Sequence, residues 1–237
     1  MLRRAVVGSL ALAAAAHAAP AALFLPPVRD ALAPRIAGRG DPGHVALTFD
    51  DGPHHDATPL VLAVLRRHQV RATFFVLGEQ LAYAPRLGRA LADDGHEVAV
   101  HGWDHRCVAW KRPGRLVDDL RRTVDTLTTL TGAPVRWYRP PYGVLTAEAL
   151  AAARSVGLRT VLWSAWGRDW ERAATAESVA HRVSAALRPG GTVLLHDSDR
   201  TSAPGSWRTT LAASDLLLTD WSVKGYDVGP LRDHRPF

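Results

Sequence analysis

The chain is poor in the residues that staple small proteins. Cys107 is its one cysteine, so no intramolecular disulfide can form and a disulfide-built scaffold is excluded. A single thiol suits either side of a membrane, so the compartment stays open. Lysine is almost missing: only Lys111 and Lys224 occur, and the other basic residues are arginines. These arginines are scattered, with no long basic run, so the net charge of +6 describes a solvated surface rather than a nucleic-acid footprint. No nucleic-acid partner is expected. Internal repeats are absent, as is low-complexity sequence beyond the N-terminus. With 47% hydrophobic and 22% charged residues, the composition is that of a globular protein, which excludes disorder. A chain of 237 residues can bury a core without staples and has the length of one domain plus a short appendage.

The appendage is N-terminal. Leu2-Arg3-Arg4 precedes an alanine-rich apolar run from Ala5 to Leu25, broken by His17 and Pro20. A basic start, an apolar stretch and a small-residue site at Ala16-His17-Ala18 are the layout of an export signal. The run is also long enough to cross a bilayer of roughly 30 Å as a helix. Weakly hydrophobic alanine, His17 and Pro20 count against a span. A cleaved signal, an uncleaved anchor and a helix packed on the domain all stay open. Residues 1–25 are therefore expected as a signal peptide or membrane anchor, with the domain exported or held outside the cytoplasm. Residues 26–43 are expected as a linker, because Pro34, Gly38, Gly40, Pro42 and Gly43 break regular structure. Residues 44–237 form the domain.

Within that domain, apolar runs alternate with amphipathic stretches. Buried strands are expected at Val45–Phe49, Ala72–Leu77, Glu97–Val100, Val135–Tyr138, Thr160–Trp163 and Thr192–Leu195, with a weaker one at Tyr226–Leu231. Helices are expected at Ala57–His68, Ala82–Asp93, Pro113–Thr131, Thr146–Val156, Ala176–Leu187 and Trp207–Trp221. Gly95, Gly132, Gly157 and Gly190 follow four of these helices, where C-terminal caps belong. Strict alternation argues for an α/β fold with a parallel sheet, and the number of units favours a barrel. In such barrels chemistry sits at the C-terminal strand ends. Ionisable groups gather there: Asp50-Asp51, His101, Arg139, Asp169 and His196-Asp197.

Each group has a chemical and a plain reading. In Thr48-Phe49-Asp50-Asp51-Gly52-Pro53 two adjacent carboxylates cannot point the same way, so one can bind a metal while the other acts as a base. The same residues also make a common turn. His101 and His105, four apart, meet on one face if the segment turns helically, and with Asp51 they compose an open catalytic metal site. Histidines at this spacing also occur on ordinary surfaces. Arg139-Pro140-Pro141-Tyr142-Gly143 is a stiff loop whose arginine can pair with a carboxylate. Trp163, Trp166 and Trp170 suggest either a sugar-stacking surface or core. His196 is either a general acid or a satisfied core histidine.

Their joint order resolves what single motifs do not. From Thr48 to Asp197 the five motifs resemble, in sequence and order, the polysaccharide deacetylase family, also called the NodB-homology domain or carbohydrate esterase family 4. The resemblance covers about Val45 to Leu231. It implies a distorted, incomplete (β/α) barrel of about seven parallel strands. It also implies Asp50 as general base, with Asp51, His101 and His105 as ligands of one divalent metal. Zinc suits the set best, and cobalt, nickel or manganese can also occupy it. Arg139 is implied to hold Asp50, the Tyr142 backbone N–H to bind the oxyanion, and Asp169 to orient His196 as general acid. Trp170 and Leu194 are implied to wall the pocket for the acetyl methyl group.

The activity implied is metal-dependent removal of N-acetyl groups from N-acetylglucosamine-containing glycans of the chitooligosaccharide or peptidoglycan type. Hydrolysis of xylan O-acetyl esters or of lipid-linked sugars stays open, as does a silent glycan-binding domain. A monomer is expected, with a glycan as partner and possible membrane attachment through the N-terminal segment. Two departures from the family pattern stand out. Gly102 replaces the usual Ser or Thr of the histidine motif, which questions the rigidity of that loop. Ser164-Ala165-Trp166 stand where acidic residues are common, which suggests a differently shaped groove. No added carbohydrate-binding module is expected within this length.

Overall fold

The computed structural model describes residues 14–234. The basic start and the first part of the apolar run read as signal or anchor, residues 1–13, lie outside the described residues. No helix among those described is long and apolar enough to cross a membrane.

Eight parallel strands curl into an incomplete barrel. They are β1 (His44–Asp50), β2 (Thr73–Leu77), β3 (Glu97–Gly102), β4 (Trp137–Tyr138), β5 (Arg159–Thr160), β6 (Ala165–Trp166), β7 (Thr192–His196) and β8 (Asp227–Gly229). The order across the sheet is β5-β4-β3-β2-β1-β7-β6, with β8 paired to the start of β1. The helices are α1 (Pro26–Leu32), α2 (Ala57–Arg67), α3 (Gly78–Tyr83), α4 (Pro85–Asp93), α5 (Pro113–Thr131), α6 (Ala147–Ser155), α7 (Ala176–Ala186) and α8 (Trp207–Val223).

The two-residue period of a strand sorts side chains between two cores. Val45, Leu47 and Phe49 of β1, Phe74 and Val76 of β2, Val98 and Val100 of β3, and Val193 and Leu195 of β7 pack with the helices. The alternate residues, among them Ala46, Phe75, Ala99 and Trp137, form a separate inner cluster. Asp50, His101 and His196 share this second parity, so each strand delivers its polar end residue to the inner side of the sheet.

The expected helix Ala82–Asp93 is two helices. Pro85 lacks an N–H and restricts Ala84, which leaves helical geometry at φ −128° and ψ 62°. Of the expected strand Thr160–Trp163 only Thr160 lies in a strand, at the end of β5, and β6 begins beyond it. Between them, the Leu162 and Trp163 carbonyls accept hydrogen bonds from the buried side chains of Arg139 (2.9 Å) and Arg29 (2.6 Å) rather than from a neighbouring strand.

The stretch 26–43, expected as a linker, is folded against the barrel. Arg29 on α1 is buried, the Leu162 N–H donates to Ile36 O, and the Gly40 N–H donates to Gly190 O. Its prolines and glycines turn the chain at places where its carbonyls are already used. Upstream, His17 pairs with Glu148 of α6, and Leu23 packs on Leu145, Leu162, Trp163 and Leu194.

Candidate active site

β1 and β7 pair in register, with Asp50 opposite His196. This pairing brings a carboxylate and an imidazole to the same height at the open end of the barrel. A cavity of about 310 Å³ lies between them. Eight of the ten residues singled out from sequence line it: Asp50, Asp51, His101, His105, Tyr142, Trp170, Leu194 and His196. The other two, Arg139 and Asp169, stand directly behind Asp50 and His196.

Arg139 is wholly buried. Its guanidinium donates to Asp50 Oδ1 (2.7 Å), Thr48 Oγ1 (2.8 Å) and Leu162 O, and lies 4.0 Å from the centre of the Phe75 ring. Burial lowers its pKa, and the charge of Asp50 opposes that. An ion pair this deep is fixed in place, because removing either partner strands the other charge.

Asp51 turns the opposite way. Its φ of 76° lies in the left-handed region, unusual for a residue with a side chain. Its Oδ1 stands 3.2 Å from His101 Nε2 and 3.1 Å from His105 Nε2. That oxygen is buried without a hydrogen bond of proper geometry. His101 Nδ1–H donates to Arg139 O (2.8 Å), which leaves Nε2 as the ring atom facing Asp51. Thr201 Oγ1–H occupies Asp51 Oδ2 at 2.9 Å. Ligand atoms about 2.0–2.1 Å from a tetrahedral zinc stand roughly 3.3 Å apart. The three converging atoms, with Asp51 Oδ1 unsatisfied, therefore fit a divalent cation.

His196 is held from behind by a carboxylate. Asp169 is buried; it accepts the His196 Nδ1–H (3.0 Å) on one oxygen, and the His196 backbone N–H (2.8 Å) and Thr210 Oγ1–H (2.7 Å) on the other. Nε2 is left to the cavity. Burial alone would lower the imidazole, but the charge and hydrogen bond of Asp169, with Asp51 and Asp50 beyond, push it up to about 9. Next to it, burial pushes the Asp197 carboxyl up to about 7; Thr58 Oγ1–H donates to its Oδ2 at 2.5 Å.

Trp163, Trp166 and Trp170 run along one wall with ring centres 5.4 and 4.9 Å apart, and Trp170 meets His196 edge-on. Leu194 is buried at the base. Tyr142, at φ 60°, holds its half-exposed ring against His105. The histidine loop is braced without a hydroxyl at position 102. Lys111 bridges Asp104 and Asp119, Arg122 lies 3.5 Å over the Trp103 ring, and Thr123 Oγ1–H donates to Gly102 O. Gly102 itself has φ 136°, a conformation that favours glycine.

Sequence reasoning missed Phe24, which lines the cavity and meets Trp166 at 6.3 Å. It lay inside the run read as signal or anchor, and no pattern there separates it. Thr201, Ser202 and Thr210 were also missed, because a lone hydroxyl carries no spacing signal.

Residues 37–161 match the family model described as polysaccharide deacetylase. The chitooligosaccharide deacetylase of Bradyrhizobium sp. (strain ANU 289) is 37% identical over 194 residues, which cover 79% of this chain and 88% of that one. The peptidoglycan-N-acetylglucosamine deacetylase PgdA of Listeria monocytogenes is 35% identical over 183 residues, covering 77% of this chain but only 37% of the relative. Among solved structures, the peptidoglycan N-acetylglucosamine deacetylase Bc1960 superposes with a TM-score of 0.77 at 29% identity, over 83% of this chain and 91% of that one.

Proposed function

The chain belongs to the polysaccharide deacetylase family, and from that premise we propose that it is a hydrolase removing N-acetyl groups from N-acetylglucosamine-containing glycans. The observation that carries this reading is the pairing of Asp50 with His196 across one cavity, beside the converging Asp51, His101 and His105. Polysaccharide deacetylases use a divalent metal, and here zinc suits a two-histidine, one-carboxylate set. Bound to Asp51, His101 and His105, it would supply Lewis acidity to the acetyl carbonyl and acidify water.

The chain's own residues do the rest. The acetamide enters with its methyl group between Trp170 and Leu194. Asp50, held as an acceptor by Arg139, removes the proton from the attacking water. As the carbonyl carbon becomes tetrahedral, the Tyr142 N–H donates to the developing oxyanion. His196 Nε2 then gives its proton to the departing amine, and Asp169 stabilises the imidazolium until that transfer. The products are acetate and a free glucosamine-type amine. Base and acid coexist because each has its own buried counter-charge. The aromatic wall suits the flat face of a sugar ring. All the named residues come from one chain, so the site needs no second copy. A peptidoglycan-type substrate would place the domain outside the cytoplasm.

The test is acetate release from N-acetylated chitooligosaccharides and from peptidoglycan, before and after chelation and with zinc restored. Release that chelation stops and zinc restores is expected. Release that survives complete metal removal would overturn the metal reading, and none from either glycan would overturn the substrate.

A further inference from the structure

A second cleft opens on the far side of Tyr142. It shares Tyr142 and His105 with the reactive cavity, so the two are continuous across the tyrosine ring. Its volume is about 520 Å³. Trp110 ends the short helical turn Val108–Trp110 on its edge. At 89% exposure it is the most exposed large apolar side chain among the described residues. An indole presented this fully to water, beside the mouth of a site, is a platform with nothing yet on it.

The same cleft is basic. Arg106, Lys111, Arg112 and Arg115 line it against Asp104 and Asp119, four cations to two carboxylates. Lys111 is fully engaged between Asp104 and Asp119, and Arg115 Nε donates to Asp119 Oδ1 at 2.9 Å. Arg106 is 83% exposed and touches Asp104 only at 3.7 Å. Arg112 makes no ion pair among the described residues. The spare positive charge thus lies on two guanidinium groups flanking an exposed indole. The guanidinium fork matches a carboxylate in two parallel hydrogen bonds, and the indole face matches a sugar ring.

We propose that this cleft binds the continuation of an acidic glycan strand, with a sugar ring on Trp110 and a free carboxylate carried by the strand held by Arg112 and Arg106. This rests on the deacetylase reading and narrows it to N-acetylglucosamine polymers that carry carboxylates, as peptidoglycan strands do and chitin does not. One sugar, reacting between Trp170 and Leu194, and its neighbour across Tyr142 would be held by different chemistry.

The test is calorimetric titration of the zinc-loaded Asp50→Asn chain with chitopentaose and with a peptidoglycan oligomer rich in carboxylates. Into that chain are added either Arg106→Gln with Arg112→Gln, or Trp110→Ala. All three residues are surface groups, and unchanged thermal melting would verify the fold. The arginine pair is expected to weaken binding of the acidic oligomer about ten-fold and leave chitopentaose unchanged. Trp110→Ala should weaken both, and added salt should weaken only the acidic oligomer. Equal losses for both glycans in the arginine variant, or none for either, would overturn the proposal. Acetate release by the unmutated chain reports separately on the deacetylase reading, so either inference can fail without hiding the other.

Discussion

Replacing Asp169 by asparagine tests the electrostatic logic of the site. The substitution Asp169→Asn would keep the size of the side chain and an oxygen facing the His196 backbone N–H, while the charge disappears. Burial, which lowers the imidazole, would stay in place, and the charge and hydrogen bond that outweigh it would be lost or weakened. His196 should then fall from about 9 to its ordinary value near 6.5 or below. At about pH 8, an imidazole titrating near 9 is roughly nine-tenths protonated, and one titrating near 6.5 only about 3%, a ratio of about 30. At about pH 6 the two differ by less than a factor of about 1.5. Rates of acetate release at saturating glycan, followed between roughly pH 5.5 and 9.5, should therefore show the alkaline limb moving down by about 2.5 pH units. A uniform loss at every pH, with the limb unmoved, would refute this reasoning and leave Asp169 as a purely steric support. The sign for stability is fixed too. A folded-state pKa raised above the unfolded value stabilises the fold below about pH 6.5, and that contribution disappears as the pH rises through about 9. Urea midpoints of the unmutated chain should fall across that window more than those of Asp169→Asn.

Asp50→Asn should lower acetate release by about 10²–10⁴-fold while zinc affinity, read by chelator competition, stays within a few-fold; substantial residual turnover would remove Asp50 as the base. Phe24→Ala should raise KM and leave kcat nearly unchanged, because Phe24 walls the cavity from outside the residues matched by the family model. Its side chain is 41% exposed. Covering about 80 Å² of phenyl surface is worth at most about 2 kcal/mol, so a rise of roughly ten-fold in KM is expected. An unchanged KM would show that the glycan never reaches that wall.

Much of this architecture was legible because strands alternate with helices and the polar motifs fall at strand ends. α5 occupies the expected residues, β2 and β7 differ from expectation by one residue at one end, and β1 extends one residue further at each end. All ten residues singled out as site candidates gather around one cavity, since each sits at a fixed offset from an apolar run that packing pins. The misses share a different cause. Arg29 and Arg139 take the carbonyls between β5 and β6, and a side chain that replaces a ladder hydrogen bond leaves no trace in the period of its neighbours. Phe24 and the folded stretch 26–43 were hidden for a related reason. Alanine, proline and glycine there suggested export or flexibility, while the contacts that fix the segment come from residues more than a hundred positions away. The doubt raised by Gly102 is answered by Lys111, Trp103 and Thr123, whose convergence on one loop is a property of the fold alone.

The pairing of β1 has a consequence for how the molecule comes into being. Its residues 44–50 join residues 192–196 on one ladder and 227–229 on another. Closing loops that long is slow, and nothing local rewards the first strand for waiting. A chain emerging from the ribosome must carry a central strand that is buried at every residue in the finished fold, with one side unpaired, until nearly all of its length has been made. Such a nascent chain exposes apolar surface of the kind that chaperones bind. Asp50 meets His196 only at the end of that process, so hydrolytic capacity arrives in one late step and no partly made chain possesses it.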